Sequence, residues 1–227
     1  MEPEQLRSWH EPEYAAAWAG EDAIADLLEL PRRISASLVG TSGLDVRHVV
    51  DLGSGPGDYL ELLLDAFPRA GGTWVDSSEA MVELGRAKLA RFGDRVAYVV
   101  GDIEDLAGLG LAPAEVVVSS RAIHHFSHDS IRRLYRNAHE LLVEGGWFFN
   151  LDHFGAPPGW KERYRPVRDE ITGGRKKKLD SHREPFELTE PDVQVGWLRE
   201  AGFDADLPWR AFFTALLAGR KVPARQR

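Results

Sequence analysis

Short β-branched and aromatic runs alternate with helical periods along residues 46–153. Val46–Asp51 is apolar, ends on an acid, and is followed at once by glycines. Leu60, Leu62, Leu63, Leu64 and Phe67 fit a helix that stops near Pro68. Gly72–Asp76 is a second run ending on an acid, and Met81, Leu84, Leu89 and Phe92 give Ser78–Phe92 a helical spacing. Arg95–Val100, Glu115–Ser120 and Trp147–Leu151 predict three more strands, with a helix over Ser130–Leu142 between the last two. Near-continuous apolar runs mark strands covered on both faces, as in a parallel sheet between helices. The alternation predicts a Rossmann-like, doubly wound α/β fold, whose ligands lie outside the carboxyl ends of the strands.

The flanks lack this alternation. Residues 1–45 predict a helical cap (Tyr14–Trp18, Ile24–Leu30, Ile34–Val39) over the carboxyl edge or one face of the sheet. Residues 154–188 are rich in Pro, Gly and charge, with GGRKKK at 173–178, and predict an insertion or lid after strand five. Thr189–Ala201 predicts a helix with Thr189 as N-cap and Pro191 in its first turn. Phe203–Leu207 and Phe212–Leu217 predict closing strands. The expected organisation is one domain over 1–227: cap 1–45, core 46–153, insertion 154–188, and closing helix and strands 189–227.

Composition narrows the function. With 227 residues, 43% hydrophobic content and a mean hydropathy of −0.32, the chain reads as globular. A net charge of −8 argues against nucleic acid as a partner. Zero cysteines exclude disulfides, thiolate zinc sites, iron–sulfur clusters and a cysteine nucleophile. The acidic, proline-broken N-terminus has no secretory pattern, and the longest uncharged apolar run, Ala211–Gly219, is too short for a bilayer. A cytoplasmic protein without a membrane partner is the expectation; a homodimer is left open.

Candidate chemistry begins at Asp51-Leu52-Gly53-Ser54-Gly55-Pro56-Gly57, between the first strand and a helix. Glycines serve where backbone turns tightly and approaches a ligand. A dinucleotide loop needs G-x-G-x-x-G, but Asp58 stands at the third glycine position, where a carboxylate repels a pyrophosphate. With Asp51 ahead of it, the loop suits a ligand carrying an ammonium or sulfonium and no phosphate. Asp76 ends strand two, where a ribose diol is held in such folds. Asp102 ends strand three and can accept from an adenine amino group while Ile103 packs on the ring. The competing reading makes all three acids simple helix caps.

VVDLGSGPGDYLELL, WVDSSEAMVELGRAKL, VVGDIEDL and VVVSSRAIHHF, in this order and spacing, resemble the class I S-adenosylmethionine-dependent methyltransferases over about residues 46–153. The resemblance implies a mostly parallel seven-stranded sheet with an antiparallel last strand. It implies S-adenosylmethionine as cofactor and S-adenosylhomocysteine as product. Gly53, Ser54 and Gly55 would lie along the methionine part, with Asp51 on its amino group. Asp76 would take the ribose hydroxyls, Ser77 and Met81 would lie near the adenine, and Asp102 and Ile103 would contact it. Ser120 and Arg121 would border the sulfonium end.

At the reacting end, His124-His125-Phe126 follows strand four and Asp152-His153-Phe154 follows strand five. His125 is the expected base, with His153 or Asp152 as orienter or acceptor ligand; the alternative is that these side chains only pack and shape the pocket. His125 and His128 also have a metal-ligand spacing, but His128-Asp129-Ser130 reads as a helix start, so no metal is expected. Trp160 and Tyr164, with Phe186, could wall an acceptor next to His124, Phe126 and Phe154. Tyr14, with Trp9 and Trp18, could close over the cofactor. The run Arg175–Lys178 reads as a solvated loop or as a contact for an acidic acceptor or carrier.

The expected activity is methyl transfer to O or N, less readily C, of a small apolar or aromatic acceptor. Cyclisation or rearrangement on the same fold, and a non-catalytic cofactor-binding module, are the rivals. A nicotinamide oxidoreductase is disfavoured by Asp58.

Overall fold

A computed structural model of the chain describes residues 11–13, 15, 25–171 and 186–222. Its centre is one sheet of β1 (His48–Leu52), β2 (Gly71–Asp76), β3 (Val96–Val100), β4 (Ala114–Ser120), β5 (Leu142–His153), β6 (Asp204–Ala211) and β7 (Thr214–Arg220). The spatial order is β3-β2-β1-β4-β5-β7-β6. Strands β1 to β5 pair in parallel, and β7 runs antiparallel to both β5 and β6. This is the mostly parallel, seven-stranded Rossmann-like sheet expected from the motifs, with its last strand reversed.

The helices around it include, among the described residues, α1 (Ala25–Thr41), α2 (Asp58–Ala66), α3 (Glu79–Leu89), α4 (His128–Leu141), α5 (Lys161–Ile171) and α6 (Pro191–Glu200). Leu28 and Val39 of α1, Leu60, Leu63 and Leu64 of α2, and Met81 and Leu89 of α3 join Val49, Trp74 and Val116 in one core. Ile131, Leu134 and Tyr135 of α4 and Val195, Trp197 and Leu198 of α6 join Val50, Val117 and Phe148 in the other. Neighbouring strand residues such as Val49 and Val50 enter opposite cores, as alternating side chains must. That double burial is why the strands read as continuous apolar runs.

Several boundaries differ from the sequence pattern. Helix α1 continues through Pro31, where the pattern predicts two segments. Proline removes one backbone donor there, but its ring is buried and α1 packs on α2, β5 and β7. Ser127 caps α4 by accepting from the Ser130 amide, so the helix starts two residues before the predicted Ser130. The N-cap of α6 is Glu190, not Thr189, whose Oγ1 accepts from Gln194 Nε2 at 3.0 Å. Strand β5 starts at Leu142, five residues before the predicted Trp147, past a register shift between Ala114 and Val116. The pattern does not mark helix α5 within the insertion. None of its residues is buried, so it shows no apolar face deep enough to read. Tyr14, Trp9, Trp18 and the basic run at 175–178 lie outside the described residues. Among the described residues, no helix is long and apolar enough to cross a membrane.

Candidate active site

Strand order reverses between β1 and β4, so the turns after these strands leave to opposite faces and open a crevice. A cavity of about 330 Å³ occupies it. Asp51, Gly53, Ser54 and Gly55 line it after β1; Asp76, Ser77 and Met81 after β2; Asp102 and Ile103 after β3; Ser120, Arg121, His125 and Phe126 after β4. The sequence missed Arg32, Pro56, Asp58, Tyr59, Gly101 and Ala122, which also line it. Gly101 and Ala122 adjoin predicted positions. Arg32 comes from the cap, where no motif marked it.

The glycine turn is held from three sides. The Ser54 amide donates to Val75 O at 2.9 Å, the Gly55 amide to Asp76 Oδ2 at 2.9 Å, and the Trp74 indole to Gly55 O at 2.8 Å. Gly53 has φ +65, and a Cβ built on it would sit 2.4 Å from the Ala122 Cβ. Only glycine permits both the left-handed backbone and this approach of the two turns. Gly57, φ +92, starts α2 without any side-chain cap.

The strand-end acids are placed differently. Asp51 is 1% exposed, and the Ser54 hydroxyl donates to its Oδ2 at 2.6 Å. Asp51 Oδ1 is buried and has no hydrogen-bond partner. Burial pushes this carboxyl up to about 7, against the pull of the Ser54 hydroxyl, of the Arg32 charge and, more weakly, of the Leu60 backbone. Asp76 accepts from the amides of Gly55 and Ser78, both at 2.9 Å, which aims the carboxylate at the cavity rim. Asp102 accepts from the Glu104 amide at 2.9 Å and does cap the following 3-10 turn. Asp58 is ion-paired with Lys88.

Past β4, Arg121 has φ 55, a strained backbone for a side-chain-bearing residue, and its amide donates to Leu151 O at 3.0 Å. His125 lines the cavity and its ring lies 3.8 Å from that of His124. His124, Asp152, His153 and Phe154 do not line the cavity. Asp152 is 1% exposed and accepts from His124 Nδ1 at 2.5 Å, from the His124 amide at 3.0 Å and from the His153 amide at 2.8 Å. Burial raises the Asp152 carboxyl, and the nearby His153 and His125 oppose that shift. Asp152 therefore ties β5 to the turn carrying both histidines. It bonds His124, and His153 and His125 stand near enough for their charge to act on it. Phe154 is 1% exposed and belongs to a core. Trp160 is 46% exposed and rests on Tyr164, which packs on Phe212 and Phe213. Neither lines the cavity. The tetrad of Trp160, Tyr164, Phe212 and Phe213 gives these rings a packing role that the sequence could not distinguish from an acceptor wall.

Residues 49–146 match the family of the methyltransferase domain. Similar proteins include the malonyl-[acyl-carrier protein] O-methyltransferase of Priestia megaterium, 33% identical over 104 residues, which are 45% of this chain and 35% of that one. The trans-aconitate 2-methyltransferase of Mycolicibacterium gilvum is 33% identical over 180 residues, 77% of this chain and 64% of its own. The chain thus spans between about a third and two thirds of these relatives. An O-methyltransferase family protein from Burkholderia thailandensis shares the fold at TM-score 0.65 and 21% identity, over 98% of this chain and 67% of that one. Human N-acetylserotonin methyltransferase, solved with S-adenosylmethionine, shares it at TM-score 0.63 and 15% identity, over 95% and 58%. The matched segment ends before β5 is complete, so α1 and everything from residue 147 onward lie outside it.

Two outcomes are expected at the ends of β1 and β5. Asp51 binds its proton more tightly folded than unfolded, where its value is 3.8, so stability falls as pH rises between these values and stays low above about 7. Urea unfolding is expected to show wild type losing up to about 4 kcal/mol relative to Asp51→Asn between pH 4 and pH 8. Parallel pH profiles for the two proteins would count against a buried, ionising Asp51. Asp152→Ala strands the His124 ring and two backbone amides, and a loss of about 3 kcal/mol is expected in the same assay. A change under about 0.5 kcal/mol would mean the tie is not made.

Proposed function

We propose that the chain binds S-adenosylmethionine in this cavity and transfers its methyl group to an oxygen or nitrogen of a small acceptor. The observation that carries the reading is Asp51 Oδ1, a buried acceptor without a partner at the end of β1. A buried polar atom of this kind costs free energy until a ligand satisfies it, and an ammonium is the group that does so for a carboxylate. In this reading Asp51 receives the amino group of the methionine part, beside Gly53, Ser54 and Gly55. Asp76 receives the ribose hydroxyls; a carboxylate oxygen accepts more than one hydrogen bond, so its bonds to Gly55 and Ser78 aim it without exhausting it. Ile103, 5% exposed, and Met81, 2% exposed, offer apolar contact to the adenine between Ser77 and Asp102.

The cofactor supplies a methyl carbon already activated by its sulfonium. The chain's residues then align the acceptor with that carbon and manage a proton. Ser120, Arg121, His125 and Phe126 wall the end of the cavity nearest β4. His125 takes the acceptor's proton where the acceptor has one. Asp152 fixes the His124 ring, and His124 in turn backs the His125 ring at 3.8 Å, so both are positioning residues. Arg121 favours a second reading of the acceptor, as a carboxylate. Such an acceptor meets a guanidinium here, arrives already ionised and needs no base. The names of the two relatives, malonyl and trans-aconitate, are those of acids. Trp160 and Tyr164 do not line this cavity, so it lends no support to an aromatic acceptor walled by them.

Calorimetric titration tests the cofactor. S-Adenosylmethionine and S-adenosylhomocysteine are expected to bind wild type at micromolar Kd, NAD not at all, and Asp76→Ala about 10–100-fold more weakly. Binding of NAD alone, or of none of the three, would overturn the proposal.

A further inference from the structure

Trp160, whose carbonyl accepts from the Tyr164 amide at 2.9 Å, opens helix α5, and Tyr164, Val167 and Ile171 follow at steps of four, three and four. Those steps place all four on one face of the helix, in a stripe about 60° wide. Tyr164 seats this face on Phe212 and Phe213. Beyond that contact the stripe stays open. Val167 is 45% exposed, Ile171 67%, and Trp160 nearly half. None of the helix is buried, and none of it lines the cavity.

Charge is sorted around the stripe. The Arg163 guanidinium lies 5.3 Å from the centre of the Trp160 ring, that of Arg168 5.7 Å from the Phe213 ring, and that of Arg210, on β6, 6.0 Å from the Tyr164 ring. At about 100° per residue, Lys161 and Arg168 flank the stripe on one side and Arg163 on the other, with Arg165 farther round. Of the helix's three acids, Glu162 and Asp169 fall on the opposite face and Glu170 on a flank; Asp169 pairs with Arg168 at 2.7 Å. An apolar stripe that begins on an aromatic ring, with bases beside it and acids behind it, suits a helix lying in a lipid headgroup layer. Its rings and aliphatic chains enter the acyl boundary while its bases meet phosphates. The turn that seats α5 also has a telling place. Thr214 pairs with His153 at the carboxyl end of β5, and the Phe154 amide donates to Phe213 O at 2.7 Å, so the turn stands at the same edge of the sheet as the cavity.

We propose that α5, seated on the Phe212–Phe213 turn, is a peripheral docking surface for an anionic lipid bilayer, with Trp160, Val167 and Ile171 entering the bilayer and Lys161 and Arg163 on its phosphates. Docking through this helix brings the carboxyl edge of the sheet close to the lipid. The inference is independent of the cofactor reading. It departs from the sequence expectation of no membrane partner, which rested on the lack of a long apolar run; a surface helix binds through one face and needs no such run.

The test is co-sedimentation of the full chain with vesicles of phosphatidylcholine alone and of phosphatidylcholine with phosphatidylglycerol, at low and high salt. Wild type is expected to bind the anionic vesicles about tenfold or more tighter than the neutral ones, and to lose part of that preference at high salt. Val167→Asp combined with Ile171→Asp is expected to weaken this binding about tenfold or more, and Lys161→Gln combined with Arg163→Gln by a similar factor. Both variants are expected to keep the wild-type thermal unfolding profile, because all four side chains are exposed. Wild type that does not bind anionic vesicles overturns the inference, including where it forms a dimer that the aspartate variant disperses. Binding kept by both variants also overturns it, because another surface would then be responsible. Binding lost only in the glutamine variant overturns it as well, since charge without apolar contact fits a soluble acidic partner.

Discussion

The approach of the β1 turn to the β4 turn is the constraint on which the rest depends. Gly53 at φ +65 would place a Cβ 2.4 Å from that of Ala122, so the two turns meet only because Gly53 has none. This contact lies where the strand order reverses, and it brings the groups after β1 and β4 to one cavity. On the β1 side stands Asp51, buried and missing one hydrogen bond. On the β4 side stand Arg121 and His125. A larger residue at position 53 would push the β1 turn and the β4 turn apart and break the wall of the cavity they share.

Charge is divided along that cavity. Asp51, Asp58, Asp76 and Asp102 line it after the first three strands, while Arg121 and His125 line it after β4. Asp152, the acid bonded to His124, does not line the cavity and accepts from the His124 ring and from the His124 and His153 amides. The acidic half suits hydroxyls and an ammonium. The basic half suits an acceptor that is anionic or becomes so. Arg32 interrupts this division, a cation set against Asp51 at the acidic end.

The sheet and the residues after β1 to β4 were legible in the sequence because each lies within a few positions of a strand end. An apolar run that stops on an acid and then a glycine marks the carboxyl end of a buried strand, which is where this fold keeps its ligands. Long-range packing was not legible. His124 and Asp152 are 28 residues apart, and their bond follows from the parallel pairing of β4 and β5, which brings Ser119 opposite Asn150 and Ser120 opposite Leu151. Arg32 sits on a helix read as a cap, and the packing of α1 on α2, β5 and β7 carries it to the cavity. Trp160 and Tyr164 lie in a charge-rich segment with few apolar positions, so an acceptor wall and a surface cluster of rings had the same sequence signature.

A crystal structure of the full chain with S-adenosylhomocysteine tests the account most directly. The account predicts the nucleoside in the crevice between β1 and β4, ribose hydroxyls on Asp76 and the amino-acid end over Gly53 and Gly55 with its ammonium on Asp51 Oδ1. Density for the nucleoside outside this cavity, or inside it with the amino-acid end turned away from Asp51, would contradict it.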